Sequence, residues 1–193
     1  KVLTDAEAEY ERLKKAAEDE AAAKAVDDKV AAIGEVTLTD ESKAKIDEAR
    51  KAFDALTPDQ KKFLASDTES KLVAAENEYA RLVKEAEDKA AAKAVDDLIA
   101  AIGEVELTEE CDAKIKAARK AFNALTPEQK AFVKNEKVLT DAEAEYERLK
   151  KAAEDEAAAK AVDNLIAAIG KVEFTDECKA KIDAARAAYD KLT

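Results

Sequence analysis

Apolar residues recur along this chain at the three- and four-residue intervals that are typical of amphipathic helices. The stretches 46–56 and 72–82 each place their large apolar side chains on one helical face. Val36 and Leu38 alternate with polar residues instead, which indicates a short extended link. The pattern predicts an all-α fold. The predicted core positions are Val95, Leu98, Ile99 and Ile102, then Ile115, Ala118, Phe122 and Leu125, then Leu139, Ala142, Tyr146 and Leu149, with equivalents at Leu3, Ala6, Tyr10 and Leu13 and at Ile182, Ala185, Tyr189 and Leu192, and with Phe63 or Phe132 from a short helix.

The helical pattern is repeated along the chain. The motif KAVD begins at Lys24, Lys93 and Lys160, which gives a period of about 68 residues. Residues 1–27 are identical to residues 137–163. The sequence therefore predicts tandem three-helix-bundle repeats. We place their boundaries at 1–23 (the last helix of an incomplete preceding repeat), 24–92 (repeat 1), 93–159 (repeat 2) and 160–193 (the first two helices of repeat 3).

Glycine, proline and threonine mark the expected helix ends. Each glycine follows the triplet AAI. Glycine is the usual residue just after a helix, because it adopts the left-handed conformation at little steric cost. Thr-Pro pairs predict an N-cap followed by proline in the first helical turn. A further threonine precedes an acidic first turn in each repeat, as the helix dipole favours. The predicted structural caps are Gly34, Gly103, Gly170, Thr39, Thr108, Thr175, Thr57, Thr126, Pro58 and Pro127.

No helix breaker separates the last helix of one repeat from the first helix of the next. The segment KKAAEDEAAAKAVDD has neither Gly nor Pro and consists mainly of strong helix formers. We expect one continuous helix of roughly 33 residues, about 50 Å long, with a solvated middle near residues 18–23, and hence an elongated rod. Two packing units remain open: the three-helix bundle, or the long helix together with the single helix after it.

The composition excludes several classes of function. The 193 residues include no histidine, which removes the commonest general base and the commonest metal ligand. Two cysteines are too few for a disulfide framework or a four-ligand zinc site. A net charge of -12 argues against nucleic acid and against anionic lipid as partners, and the longest apolar run is too short to span a bilayer. We therefore expect a non-enzyme without cofactor or metal, and without membrane insertion.

Three groups of residues are candidates for chemistry. Cys111 and Cys178 occupy one repeat position, in the first turn of a helix, where the dipole favours the thiolate. They are candidate reactive thiols. The simpler interpretation is a permissive surface position that accepts either Ser or Cys. Acidic runs such as 18–20, 96–97 and 109–110 lack the alternating pattern of a calcium loop and are expected to be solvated helix faces. The recurring Tyr10, Tyr79 and Tyr146 are expected to be core residues.

The segment from Leu98 to Leu149 resembles a tandem repeat module of large secreted and cell-wall-attached proteins of Gram-positive bacteria, which has a spectrin-like architecture. The resemblance covers essentially the whole chain. It implies an extracellular or cell-wall location, neighbouring domains in a larger parent protein, and a spacer or stalk role. Its matching positions are Ile102, Gly103, Val105, Ile115, Ala117, Ala118, Arg119, Ala121, Phe122, Ala124, Leu125, Thr126, Gln129, Lys130, Val133, Asn135, Leu139, Ala142, Glu143, Tyr146 and Leu149.

The sequence favours a semi-rigid structural spacer, with two alternatives. One is a three-helix module that binds a host protein or another ligand, and the other is an engineered or consensus helical scaffold with thiols placed for labelling. The chain begins without Met and lacks a signal peptide and an anchor, which indicates a processed or excised fragment. Because the two identical segments lie at the start and near the end, weak head-to-tail self-association is a further expectation.

Overall fold

A computed structural model describes residues 2–192 of the chain. Over that range it contains helices, turns and bends and no strand, which confirms the all-α class. The helices of this range are α1 (Val2–Ala31), α2 (Asp40–Asp54), α3 (Pro58–Lys61), α4 (Thr68–Ala100), α5 (Glu109–Ala124), α6 (Pro127–Lys130), α7 (Glu136–Ala167) and α8 (Asp176–Tyr189).

Helices α4 and α7 run through the alanine-rich segments without interruption. They have 33 and 32 residues, close to the length that the missing breakers predict. Side-chain ion pairs four residues apart support the exposed faces of these helices, among them Lys93–Asp97 at 2.7 Å and Lys137–Asp141 at 2.8 Å. Ala, Glu and Lys lose little side-chain freedom in a helix, so the segment is helical even where few of its residues are buried.

The chain divides into two compact units, Lys1–Asp88 and Lys89–Thr193. In the first unit α1 packs against α2 and α3. Its core draws side chains from the end of α1, from α2 and from the start of α4. The buried cluster consists of Val26, Val30, Ile33, Ile46, Ala49, Phe53, Leu72 and Ala75, with Val36, Ala52, Leu56, Leu64 and Tyr79 partly buried against it.

The second unit has an equivalent core at the equivalent repeat positions. It combines the end of α4, the whole of α5 and the start of α7. Beyond this core the end of α7 packs against α8. The buried cluster consists of Val95, Ile99, Ile102, Cys111, Ile115, Ala118, Phe122, Leu139 and Ala142, with Val105, Ala121, Leu125, Val133 and Tyr146 partly buried against it.

Most of the expected core positions at the two ends of the chain are wrong, although Ala185 is buried as expected. Leu3 and Tyr10 on α1 are exposed, and so are Ile182 and Tyr189 on α8. A helical stripe is buried only where neighbouring helices cover it, and the buried residues of α1 begin at Asp19.

Two finer expectations of burial are also corrected. Phe63 is exposed, and the next residue, Leu64, packs on the core instead. The middle of α1 is not simply a solvated bridge, because Asp19 and Ala23 are buried where α3 packs on the helix. The counterpart of Asp19 in α7, Asp155, is exposed. The described range ends with α8, so it holds no helix after α8 that would pack on α7 as α3 packs on α1.

Candidate functional site: helix caps and interhelical polar contacts

The three glycines adopt the left-handed conformation at the ends of long helices. Gly34, Gly103 and Gly170 have φ of 65°, 69° and 63°. Each lies three residues beyond the last residue of α1, α4 or α7. A Cβ atom placed on any of them would meet no other atom within 4 Å. The requirement for glycine is therefore one of backbone conformation and not of space.

Thr39, Thr108 and Thr175 are the N-caps of α2, α5 and α8. Each side-chain oxygen accepts a hydrogen bond from the backbone N–H three residues on, at 3.1 to 3.2 Å. These bonds satisfy one of the backbone donors that a helix start leaves without a partner. Acidic residues follow in the first turn of all three helices, where the dipole favours them.

Thr57 and Thr126 begin the two short helices in full capping boxes. The Thr57 side chain accepts from the Gln60 backbone at 3.3 Å, and the Gln60 side chain accepts from the Thr57 backbone at 2.9 Å. Thr126 and Gln129 form the same pair of bonds. Pro58 and Pro127 occupy the start of each helix, where a missing N–H costs nothing.

Cys111 and Cys178 are free thiols, and both are buried. The expected surface position is therefore wrong. The first repeat has Ser42 at the same place, also buried, where its hydroxyl accepts a hydrogen bond from the Thr37 backbone at 3.2 Å. Cys178 receives the equivalent bond from the Glu173 backbone at 3.4 Å. Ser and Cys exchange because each fills a small buried space and accepts this N–H.

An arginine–glutamate pair joins two helices in each unit. Arg50 on α2 donates to Glu76 on α4 through Nε and Nη2, at 2.6 and 2.8 Å. Arg119 on α5 forms the same two bonds to Glu143 on α7, at 2.6 and 2.7 Å. The hydrogen bonds from Arg50 hold the pKa of Glu76 below its usual value, against the opposing effect of partial burial. Such a planar two-bond contact fixes the relative rotation of the paired helices as well as attracting them.

A carboxylate near the end of α1 caps the segment that leads into α4, and one near the end of α4 does the same for α7. Asp27 accepts from the Ala65 backbone at 3.2 Å and also from the hydroxyl of Thr68. In the second unit Asp96 accepts from the backbones of Lys134 and Asn135, at 3.1 and 3.0 Å. These contacts supply a cap from a distant part of the chain, and Asn135 itself makes no side-chain cap to α7.

The sequence reasoning missed both sets of polar contacts. It assigned the acidic run 96–97 to a solvated helix face, but Asp96 forms an interhelical cap, and Asp19 of the run 18–20 is buried. The repeat alignment held the signal, because Asp27, Asp96 and Asp163 share one position. A carboxylate kept at that position while the three residues after it vary points to a specific contact.

Within residues 2–192, no group of three or more His, Cys, Asp or Glu residues is arranged to hold a metal ion. Over the same range, none of the helices combines the length and the apolar character that crossing a membrane requires. Comparison of the chain with profiles of known protein families, with curated proteins and with solved structures finds no match.

Proposed function

We propose that the chain is a non-catalytic helical spacer, built of tandem three-helix-bundle repeats of about 68 residues that continuous helices join into an elongated array. The repeat boundaries proposed are 24–92 and 93–159, with a preceding helix at 1–23 and a partial repeat at 160–193. In this proposal the caps are the residues that matter, since they set where each helix begins and ends.

One observation carries the proposal: helix α4 supplies core residues at both of its ends. Leu72 and Ala75 near its start lie in the core of the first unit, and Val95 and Ile99 near its end lie in the core of the second. The helix continues from one group to the other without a break. A helix resists bending far better than a loop, so this arrangement favours a stiff connection over a flexible linker.

The charge pattern supports a surface that does not adhere to other molecules. The chain carries a net charge of -12, and most of its ion pairs join exposed residues three or four positions apart on the same helix. Such pairs add little stability. They keep the exposed sides of the long helices charged. The net negative charge of the chain opposes non-specific association.

We further propose that the array belongs to a bacterial cell-surface protein. The motif resemblance of residues 98–149 supports this location. A larger parent protein would then supply any binding or catalytic activity.

Solution X-ray scattering of the 193-residue chain tests the spacer directly. A compact globule of this length has a radius of gyration of about 16 Å, and the spacer requires a clearly larger value. The double variant Ala90→Gly/Ala91→Pro interrupts the middle of α4 and should change the scattering dimensions, while amide protection around Ile46 and Ile115 persists. The matched control Ala90→Ser/Ala91→Ser keeps the helix and should leave the dimensions unchanged. A compact wild type, or equal dimensions for both variants, would refute the proposal.

A further inference from the structure

In the second unit, the start of α7 covers a face formed by the end of α4 and by α5. Leu139 on α7 is fully buried there, at 0% exposure, and Ala142 and Tyr146 pack beside it. Under this cover Ile99 and Phe122 are 1% and 6% exposed. The third helix thus completes the core of this unit.

The same face recurs at the end of α7 and on α8, where it is exposed. Ile166 and Tyr189, the repeat equivalents of Ile99 and Phe122, are 48% and 54% exposed. A groove between the end of α7 and α8 is lined by side chains that include Ile166, Ile169 and Ile182. These side chains form an incomplete core whose missing part, by analogy with the second unit, is a helix of the kind that begins α7.

A helix with that sequence is present at the start of the chain. Residues 1–27 repeat residues 137–163 without a change, so Leu3 and Tyr10 correspond to Leu139 and Tyr146. Leu3 is 73% exposed, and Tyr10 is also exposed, although both lie within α1. The segment is already helical, which lowers the entropic cost of docking it on a partner.

The polar groups of the two surfaces match as well. In the second unit Arg119 pairs with Glu143, and the Tyr146 hydroxyl donates to the Thr108 carbonyl at 3.4 Å. The repeat equivalents of Arg119 and Glu143 are Arg186 on α8 and Glu7 on α1.

Arg186 is exposed and its guanidinium lies 3.6 Å from Asp190, the residue that follows α8, whereas Arg119 reaches Glu143 on a neighbouring helix at 2.6 Å. The carbonyl of Thr175, equivalent to that of Thr108, stands at the start of α8, where the Tyr10 hydroxyl of a docked helix would meet it.

We propose that the face formed by the end of α7 and by α8 binds residues 2–13 of a second copy of this chain. The occupant follows from the second unit, where an identical sequence already covers an equivalent face. The two surfaces of such an interface differ, so association is head to tail, and it gives either a closed ring or an open chain of copies. This inference concerns the 193-residue chain and does not rest on the spacer proposal, because it uses only the surfaces of α1 and of α7 with α8.

Sedimentation equilibrium under reducing conditions measures the association without interference from the free thiols. The apparent mass should rise above the 20.9 kDa of one chain as the concentration approaches about 1 mM, the range expected for a single weakly held helix. A constant 20.9 kDa throughout this range would overturn the proposal.

Charge reversal identifies the surfaces. Glu7→Arg and Arg186→Glu should each weaken association at least tenfold, because each places like charges opposite one another. The double variant Glu7→Arg/Arg186→Glu should recover to within about threefold of the wild type, since it restores an opposite pair. Asp5→Arg changes the charge equally on a face of α1 that points away from the apolar stripe, and should have little effect. If Asp5→Arg weakens association as much as Glu7→Arg does, or if the double variant fails to recover, the proposed interface is wrong.

Discussion

Arg50 on α2 and Glu76 on α4 face one another across the first unit and share two parallel hydrogen bonds, 2.6 and 2.8 Å long. Both side chains are about two-thirds covered by protein, so the pair is neither fully solvated nor fully buried. The guanidinium also stacks over Phe53, 5.3 Å from the ring centre. The pair therefore connects the polar edge of the bundle to its apolar core.

We expect the two-bond geometry of this pair, and not its charge alone, to stabilise the first unit. Arg50→Lys keeps the charge but loses the planar fork, and Glu76→Gln keeps the shape but loses the charge. A double-mutant cycle of these changes should give a coupling free energy of about 1 kcal/mol. Native-state hydrogen exchange of the α2 amides supplies the local free energies, and a coupling near zero would show that the fork contributes nothing.

The same pair makes the first unit sensitive to acid. Hydrogen bonding from Arg50 lowers the pKa of Glu76 in the folded state relative to the unfolded chain. A lowered carboxyl pKa stabilises the fold above the unfolded value, about 4.3 for Glu, and this stabilisation is lost as the pH falls through the folded value. The stability difference between wild type and Glu76→Gln should therefore shrink in acid. Glu48→Gln, which alters an exposed carboxylate on α2, the helix that carries Arg50, provides the control, and its effect on stability should be small.

Backbone conformation alone should determine which residues position 103 tolerates. Its φ of 69° is unfavourable for residues with a Cβ, and nothing lies within 4 Å of the added atom. Gly103→Ala should cost about 1 kcal/mol and Gly103→Asn less, because Asn tolerates the left-handed region better. Urea unfolding of the three proteins measures the order. Equal costs for Ala and Asn would mean that something other than φ governs this position.

The sequence was sufficient to predict the helices and their caps because these depend on local chemistry. Glycine at φ near 65°, threonine at an N-cap and proline in a first turn each act within a few residues of themselves. Burial was predicted less well, because it depends on which helices lie beside a residue. Leu3 and Leu139 have identical neighbours in sequence, yet one is exposed and the other buried.

The interhelical polar contacts could not be predicted from local pattern either. Asp96 lies in an acidic pair whose second member, Asp97, is exposed and accepts from Lys93 on its own helix. Within a single repeat both residues look alike, and the fold decides which of them reaches the backbone of Asn135. Helical periodicity separates the two by about 100° around the axis, and that rotation distinguishes a cap from a surface charge.

Asp96 should stabilise the second unit more than its repeat equivalent Asp163 stabilises the chain end. Asp96 accepts two backbone N–H groups of the link before α7, whereas Asp163 is exposed. Asp96→Ala leaves those donors without their carboxylate partner and should cost about 1–2 kcal/mol, with faster amide exchange at Lys134 and Asn135. Asp163→Ala makes the same chemical change and should stay within about 0.5 kcal/mol. Similar costs at both positions would show that the carboxylate acts through its own helix instead of through the distant link.

The two buried thiols should differ in how fast they react, although they share one repeat position and are similarly buried. Cys111 lies in a core that α7 completes, whereas Cys178 lies under the pair formed by α7 and α8 alone. Local opening exposes a buried thiol, and a segment with fewer packed neighbours opens more often. Cys178 should therefore react with a disulfide reagent at least several times faster than Cys111 in the native protein, and at an equal rate in denaturant.

The variants Cys111→Ser and Cys178→Ser assign each kinetic phase of that reaction. Both should fold, since the first repeat carries Ser42 at the same buried position with an equivalent backbone hydrogen bond. The measurement belongs at low protein concentration, where the end face of α8 has no partner. If Cys111 reacts as fast as Cys178, then the third helix does not protect the core of the second unit, and the distinction between a complete and an incomplete bundle fails with it.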